Sequence, residues 1–258
     1  MSSTQQAASG TRTGDAERLA ELIRESRSTV ALTGAGISVP SGIPDFRTPG
    51  TGLWENVDPI EVAHIDAFHR DTARFWSFYR PRFQELGAKE PNAAHTALAE
   101  LESRGLLSAV ITQNIDRLHH KAGAERVIEV HGSIQTSSCT TCSSSYAIES
   151  VDALFDEDGV ATCGSCMGKV KPDVVLFGEF LPEEPMAEAQ DLCEQCELMI
   201  CVGSSLEVYP VASLPSVALN RGARLAIVTQ GPTPYDRDAT VKLDGDVVAD
   251  LTMVLAAL

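Results

Sequence analysis

The sequence predicts an α/β fold in which a doubly wound parallel sheet carries a smaller inserted module. Two observations predict the sheet: short apolar runs alternate with helical stretches, and each run is followed at once by small or polar residues. This alternation is typical of parallel strands that helices cover on both faces. A third observation, two C-x-x-C motifs in a segment outside the repeat, predicts the smaller module. We therefore expect a Rossmann-like fold with an insertion.

The composition limits the class of protein. The chain has 258 residues, of which 43% are hydrophobic and 22% are charged, as in a globular protein with one large domain or a large and a small one. Its formal net charge is -16. Because proteins bind phosphate backbones mainly through clustered lysine and arginine, we expect no direct binding to nucleic acid.

Residues 1–14 are polar and lack the apolar core and cationic start of a signal peptide, so we expect a disordered tail there. No apolar stretch approaches the roughly 20 residues of a membrane span, so we expect a cytoplasmic protein without a membrane partner. Seven cysteines in such a chain favour metal ligands or reactive thiols over disulfides.

The elements begin with a helix that we expect to start near Asp15, with Leu19, Leu22 and Ile23 on its buried face. A second helix is predicted from Ala93 to Arg104, and Gly105 ends it. The predicted strands are the apolar runs at residues 29–32, 109–112, 127–130, 199–202 and 225–228.

The first strand leads into a glycine loop that runs from Thr33 to Arg47. Gly34 and Gly36 permit a tight turn and let backbone N–H groups approach a phosphate, whereas Val39 stands where hydride-transfer enzymes place a third glycine. Alone, the loop is a weak signal that favours a dinucleotide and argues against ordinary dehydrogenase chemistry.

Polar clusters after the other strands strengthen this interpretation. They lie at residues 113–116, 131–132, 203–205 and 229–231. Ligands of doubly wound sheets bind beyond the carboxyl ends of the strands. We therefore expect these clusters and the glycine loop to line one crevice that holds a nucleotide.

Four cysteines form two C-x-x-C knuckles with 20 residues between them, the spacing of a zinc ribbon. They are Cys139, Cys142, Cys163 and Cys166. Four thiolates leave no open coordination position, so we expect one structural zinc ion. A third such motif, Cys193 and Cys196, follows helical spacing and is expected to pack inside a helix.

In this order the motifs resemble the sirtuin family of NAD-dependent protein-lysine deacylases, from about residue 16 to the end. The resemblance is carried by the four cysteines and by residues 34–38, 42–47, 113–116, 131–132, 171–179 and 203–205. Thr229 departs from it, because the family usually has an asparagine there near the adenosine ribose.

The resemblance implies that an acyl group passes from a lysine of a protein or peptide to ADP-ribose while nicotinamide leaves. It implies catalytic roles for His131, as the general base, and for Asn114 and Asp116. The implied NAD contacts are Gly34, Ala35, Gly36, Ile37, Ser38, Asp45, Phe46, Arg47, Gln113, Asn114, Ile115, Asp116, Gly203, Ser204, Ser205, Thr229, Gln230 and Gly231. The implied peptide groove consists of Val175, Phe177, Gly178 and Glu179.

Residues 61–82 resemble the sirtuin branch that removes succinyl and malonyl groups. In that branch a small alanine opens the acyl pocket, and a tyrosine and an arginine bind the distal carboxylate; Ala63, Tyr79 and Arg82 fall on these positions. Arginine suits this role because its planar fork pairs bidentately with a carboxylate. Arg80, one residue out of register, is the alternative cation.

The resemblance implies a single catalytic domain over residues 15–258. Its NAD-binding part is expected at about 15–45, 92–133 and 174–258, with a helical insertion at about 46–91 and the zinc ribbon at about 134–173. Two other functions stay open. One is a protein ADP-ribosyltransferase or NAD hydrolase on the same scaffold, and the other is a nucleotide-sensing or partner-binding module without turnover.

Overall fold

The computed structural model describes residues 3–45 and 58–258. Its helices are α1 (Ser3–Glu25), α2 (Pro59–Val62), α3 (Ile65–Arg70), α4 (Thr72–Gly87), α5 (Ala93–Ser103), α6 (Leu118–Lys121), α7 (Ile148–Val151), α8 (Glu183–Gln195), α9 (Leu214–Asn220) and α10 (Val247–Ala256). Its strands are β1 (Thr29–Thr33), β2 (Ala109–Thr112), β3 (Val127–Glu129), β4 (Gly132–Cys139), β5 (Ser145–Ala147), β6 (Val170–Val174), β7 (Leu198–Val202), β8 (Arg224–Val228) and β9 (Val241–Leu243). Phe46 and Arg47 lie outside the described residues.

The larger sheet is parallel and has the strand order β3-β2-β1-β7-β8-β9. The chain adds strands outward from β1 on one side and then returns to the other side of β1 with β7. The strand order therefore reverses between β1 and β7, which is where open α/β sheets bind ligands. The predicted doubly wound sheet is confirmed.

Alternate residues of each central strand pack against different helical layers. Ala31 faces a layer formed by α1, α5 and α10, whereas Val30 and Leu32 face α8 and α9. This burial on both faces explains why the strands read as continuous apolar runs instead of alternating patterns.

The first helix begins well before Asp15, at Ser3, so the segment expected to be a disordered tail is helical from Ser3 onward. Ala16, Leu19, Leu22 and Ile23 form a buried face of this helix. The periodic apolar pattern of the sequence begins only at this face, which is why it placed the start of the helix near Asp15.

A smaller antiparallel sheet, β5-β4-β6, packs with α3 and α4 through a third cluster of buried residues. Trp76 of α4 is almost fully buried there, and its indole Nε1 donates to the Val170 carbonyl oxygen of β6 at 3.1 Å. The helical insertion and the cysteine-bearing segment therefore share one core. No helix in the described ranges combines the length and the apolar character that a membrane crossing requires.

Candidate active site

The glycine loop meets the end of β7 through direct backbone contact. The Gly34 and Gly36 N–H groups donate to the carbonyl oxygens of Val202 (3.0 Å) and Gly203 (2.8 Å). A Cβ atom on Gly36 would lie 2.7 Å from the Gly203 oxygen, and one on Gly203, whose φ is +61°, would lie 2.2 Å from the Ile37 nitrogen. Only glycine fits at these two positions, and the contact brings the predicted clusters 34–38 and 203–205 together.

Asn114 and Asp116 are buried and held by Ser38 of the same loop. The Asn114 Nδ2 group donates to the Gly34 carbonyl oxygen (3.1 Å) and to Ser38 Oγ (3.2 Å), and Ser38 Oγ donates to Asp116 Oδ2 at 2.6 Å. Because both protons of the Asn114 amide are used here, its Oδ1 is left to accept a hydroxyl proton. Leu118 N–H occupies the other carboxylate oxygen of Asp116 at 2.9 Å.

His131 lies beside this cluster with one ring nitrogen fixed. Its Nδ1 is 2.9 Å from the carbonyl oxygen of Gln113, and a carbonyl only accepts, so Nδ1 carries the proton and Nε2 keeps its lone pair. Burial lowers the pKa of His131, which keeps the imidazole neutral at physiological pH. The Gln113 side chain in turn donates to Ser204 Oγ at 2.9 Å.

The groove segment is joined to both His131 and Ala63 by backbone hydrogen bonds. Val175 N–H donates to the His131 carbonyl oxygen at 2.9 Å, and Phe177 N–H donates to the Ala63 carbonyl oxygen at 2.9 Å. Phe177 and Gly178 are exposed, and the partly buried Glu179 forms an ion pair with Lys171 at 3.0 Å. Of the four groove residues predicted from the sequence, Val175 therefore lies beside the candidate general base, and Phe177 lies beside Ala63.

The other predicted contacts lie farther along the strand ends. Ile115 and Thr229 are partly buried, whereas Ser205, Gln230 and Gly231 are exposed. Thr229 follows β8, and its N–H donates to the Leu243 carbonyl oxygen at 3.0 Å. Ala35 is partly exposed within the glycine loop, and Asp45 is partly buried at its described end.

Two buried histidines that the sequence did not place in the site, His95 and His119, contact Ser38 of this cluster and Thr33 of β1. His95 Nε2 lies 3.4 Å from Ser38 Oγ, and His119 Nε2 lies 2.9 Å from Thr33 Oγ1. Burial lowers the pKa of His95 to about 4 and that of His119 to about 3. Their spacing carries no signal for this role, because they reach the cluster only when α5 and α6 pack beside β1.

The model of the Sir2 family matches residues 34–210, more than half of the chain. The chain belongs to the Sir2 family. It is 45% identical over 228 residues to an NAD-dependent protein deacetylase of Thermotoga maritima, an alignment that covers 88% of this chain and 92% of the relative. It is also 45% identical over 229 residues to an NAD-dependent protein deacylase of Archaeoglobus fulgidus, covering 88% and 90%. A solved Sir2 structure bound to an acetylated peptide superposes with a TM-score of 0.85 at 41% identity and covers 93% of this chain and 96% of that one.

Sir2-family members use NAD, and the geometry of this chain fits that group. Gly34, Gly36 and Gly203 lie where the backbones of the glycine loop and the end of β7 touch, and a Cβ atom at any of them would clash there. A glycine-rich loop at a strand end, where the strand order reverses, is a common dinucleotide site.

The four predicted zinc ligands converge in this sirtuin. The sulfur atoms of Cys139, Cys142, Cys163 and Cys166 lie within 4.8 Å of one another, close to the spacing of about 3.8 Å expected for tetrahedral zinc–thiolate geometry. The Tyr146 hydroxyl lies 3.0 Å from Cys163 Sγ, and Ser144 Oγ lies 3.2 Å from Cys142 Sγ. The cluster fits one structural zinc ion. Cys193, within α8, and Cys196, just after it, are buried, as predicted.

The buried histidines predict an acid-sensitive fold. Both have folded-state pKa values below the ordinary 6.5, so the unfolded chain binds more protons and stability is lost as pH falls from about 6.5 towards 4. Each group contributes up to about 1.4 kcal/mol per pH unit to this slope. Urea unfolding of the wild type and of His119→Gln over this window measures the contribution, and equal slopes would show that His119 does not stay neutral.

The thiolate cluster predicts a metal-dependent fold. Cys139→Ala or Cys163→Ala should release zinc and lower Tm, because the ion supplies folding free energy to the small antiparallel sheet. Elemental analysis and thermal unfolding measure both effects. Cys193→Ala is the control and should keep its zinc; a stable, zinc-loaded Cys139→Ala protein would contradict a structural site.

Proposed function

We propose that this sirtuin is an NAD-dependent protein-lysine deacylase that removes succinyl and malonyl groups as well as acetyl groups. The observation that carries the proposal is the position of His131. Its imidazole bonds to Gln113 in the predicted cofactor cluster, and its own carbonyl oxygen accepts from Val175 of the predicted peptide groove. His131 therefore connects the proposed cofactor site with the proposed peptide groove, and an acyl transfer from peptide to nucleotide needs both.

When bound, NAD would supply an electrophilic ribosyl carbon: the acyl oxygen would bond to it as nicotinamide leaves, and water would then release the free lysine amine and O-acyl-ADP-ribose. Nε2 of His131 would be the base that takes a proton from a ribose hydroxyl. Asn114 Oδ1 would accept from the ribose and fix its orientation, because Nδ2 is already used by Gly34 and Ser38. Both carboxylate oxygens of Asp116 are held in place, because Ser38 Oγ donates to one and Leu118 N–H donates to the other.

Deacylation fits better than ADP-ribosyl transfer or NAD hydrolysis because the groove segment is continuous with the base. An extended substrate peptide can add as a strand beside residues 174–179, a common mode of peptide recognition. The groove is braced by Lys171, whose Nζ donates to the Val174 carbonyl oxygen at 2.8 Å and pairs with Glu179. A simple NAD hydrolase needs no such groove.

The acidic-acyl preference is supported by Ala63 and by the side chains of α4. Ala63 and Tyr79 belong to the same buried cluster, and Tyr79 stacks on Phe83 with a ring separation of 5.2 Å. Burial raises the pKa of Tyr79, so the phenol stays protonated and can donate. Arg82 lies one turn farther along α4 and therefore on the same face as Tyr79.

The two candidate arginines have different partners. Arg80 Nε donates to Asp152 at 2.7 Å, and its guanidinium carbon lies 4.4 Å from the Phe155 ring centroid. Arg82 has no carboxylate within ion-pair distance among the described residues; its Nη1 donates to the Phe78 carbonyl oxygen at 2.6 Å. The remaining donors of Arg82 can bind an acyl carboxylate, whereas Arg80 is already neutralised.

His131→Ala should lower kcat roughly 10²–10⁴-fold, the usual contribution of a general base, while the Kd for NAD stays near the wild-type value. Because burial lowers the pKa of His131, wild-type kcat/KM should fall only when the pH drops below the ordinary imidazole value of 6.5. Nicotinamide release with an acyl-lysine peptide measures both, and wild-type turnover in the variant would exclude His131 as the base.

Arg82→Met should lower kcat/KM for a succinyl-lysine peptide by about 2–3 kcal/mol of transition-state stabilisation, the scale of a charge-assisted hydrogen bond, and spare the acetyl-lysine peptide. The matched control is Arg80→Met, which we expect to affect both peptides little. Mass spectrometry of the products gives both rates. Equal losses on both peptides, or a selective loss in Arg80→Met, would place the pocket elsewhere.

A further inference from the structure

Asn92 makes two separate sets of contacts at the start of α5. Its Oδ1 accepts from Ala94 N–H at 2.9 Å, which caps the helix. Its Nδ2 donates to the Ile37 carbonyl oxygen at 2.8 Å and to Ser41 Oγ at 3.0 Å. Ile37 and Ser41 both belong to the glycine loop, so one side chain joins the start of α5 to the loop.

The orientation of the Asn92 amide is fixed by its partners. A backbone N–H only donates and a backbone carbonyl only accepts, so Oδ1 must face Ala94 and Nδ2 must face Ile37. A flipped amide would place an oxygen against the Ile37 oxygen and an NH₂ group against the Ala94 N–H. Asn92 therefore uses both amide protons to hold the loop.

The loop depends on this contact because, among the described residues, none of its own backbone hydrogen bonds reaches the Ile37 carbonyl oxygen. The 3-10 turns at Ala35–Ile37 and Val39–Ser41 are closed by bonds from Ser38 N–H to Ala35 (3.0 Å) and from Gly42 N–H to Val39 (2.9 Å). Within the described ranges, the donor to the Ile37 carbonyl oxygen is Asn92. Ile37 is fully buried and joins the loop to the core below the Gly36–Gly203 contact.

We propose that Asn92 is a positioning residue for NAD, which holds residues 37–41 of the glycine loop in the binding conformation through its amide donor. The proposal rests on the proposed function only in taking the glycine loop as the NAD site. Positioning of the loop is a different role from capping of α5. Asparagine, aspartate and serine cap helices about equally well, but only asparagine can also donate two hydrogen bonds to the loop.

The test compares Asn92→Ser, Asn92→Asp and Asn92→Ala by NAD titration calorimetry and thermal unfolding. Serine and aspartate keep the cap, so their Tm should stay near the wild-type value, whereas alanine should lower it. Asn92→Ser should raise the Kd for NAD on the order of 10-fold, as expected for the loss of one or two buried hydrogen bonds that favour the binding conformation. Its Kd for an acyl-lysine peptide should not change, and KM for NAD should rise more than kcat falls.

Asn92→Asp adds a charge that would also repel the pyrophosphate, so Asn92→Ser decides the outcome. Wild-type NAD affinity in Asn92→Ser would overturn the proposal, even if aspartate weakens binding. A Kd that rises in step with a falling Tm across the three variants, or a matching loss of peptide affinity, would also overturn it, because both indicate a merely structural role.

Ser41→Ala keeps the proposal testable if Asn92→Ser folds poorly, and where both variants fold it completes a double-mutant cycle. Ser41→Ala leaves the α5 cap intact and removes one of the two loop contacts, so it should raise the Kd for NAD less than Asn92→Ser does. The double variant should lose less than the sum of the single losses, since both act through one contact. Additive losses would overturn the proposal. Absence of NAD-dependent turnover in the wild type would instead contradict the proposed function and leave this binding comparison unaffected.

Discussion

The close backbone contact between the glycine loop and the end of β7 is the constraint on which the site depends. It joins two segments far apart in sequence, Gly36 and Gly203, at the point where the strand order reverses. The approach is possible only because neither residue has a Cβ atom. Every other element of the site is held against this contact: Asn114 bonds to Gly34, Gln113 bonds to Ser204, and Asn92 bonds to Ile37.

Hydrogen-bond polarity then orients the reactive groups. Backbone carbonyls can only accept, so the Gln113 carbonyl fixes the tautomer of His131 and the Gly34 carbonyl fixes the Asn114 amide. Ser38 links the next two side chains, since its hydroxyl accepts a hydrogen bond from Asn114 and donates one to Asp116. In this network the buried carboxylate of Asp116 has hydrogen-bond partners although it lies beside an apolar core. The two histidines behind it, His95 and His119, are buried as well, and burial favours their neutral form.

The second module carries the segment that we propose as the peptide groove. Its core combines α4 with the small antiparallel sheet, and the sheet in turn is joined by the four thiolates. Because β4 follows His131 directly and pairs with β6, which precedes the proposed groove, the sheet that carries the cysteine cluster connects these two segments. A structural ion that stabilises this sheet would therefore also stabilise the proposed groove.

Several features of the fold and of the candidate site could be predicted from the sequence alone. Local patterns suffice where a property depends on neighbours along the chain: the strands 109–112 and 199–202, the helix ended by Gly105, the paired cysteine knuckles and the polar clusters after each strand.

Contacts between residues far apart in the sequence could be found only in the tertiary structure. The start of α1 at Ser3, the short edge strand β9 and the placement of His95 and His119 carry no periodic signal in the sequence. The positions of the strand and of the two histidines are set by what packs beside them. The same holds for Arg80 and Arg82, which spacing could not separate. Only the folded chain shows that Arg80 pairs with Asp152 and that Arg82 has no carboxylate partner among the described residues, because an ion pair requires two residues to meet in space.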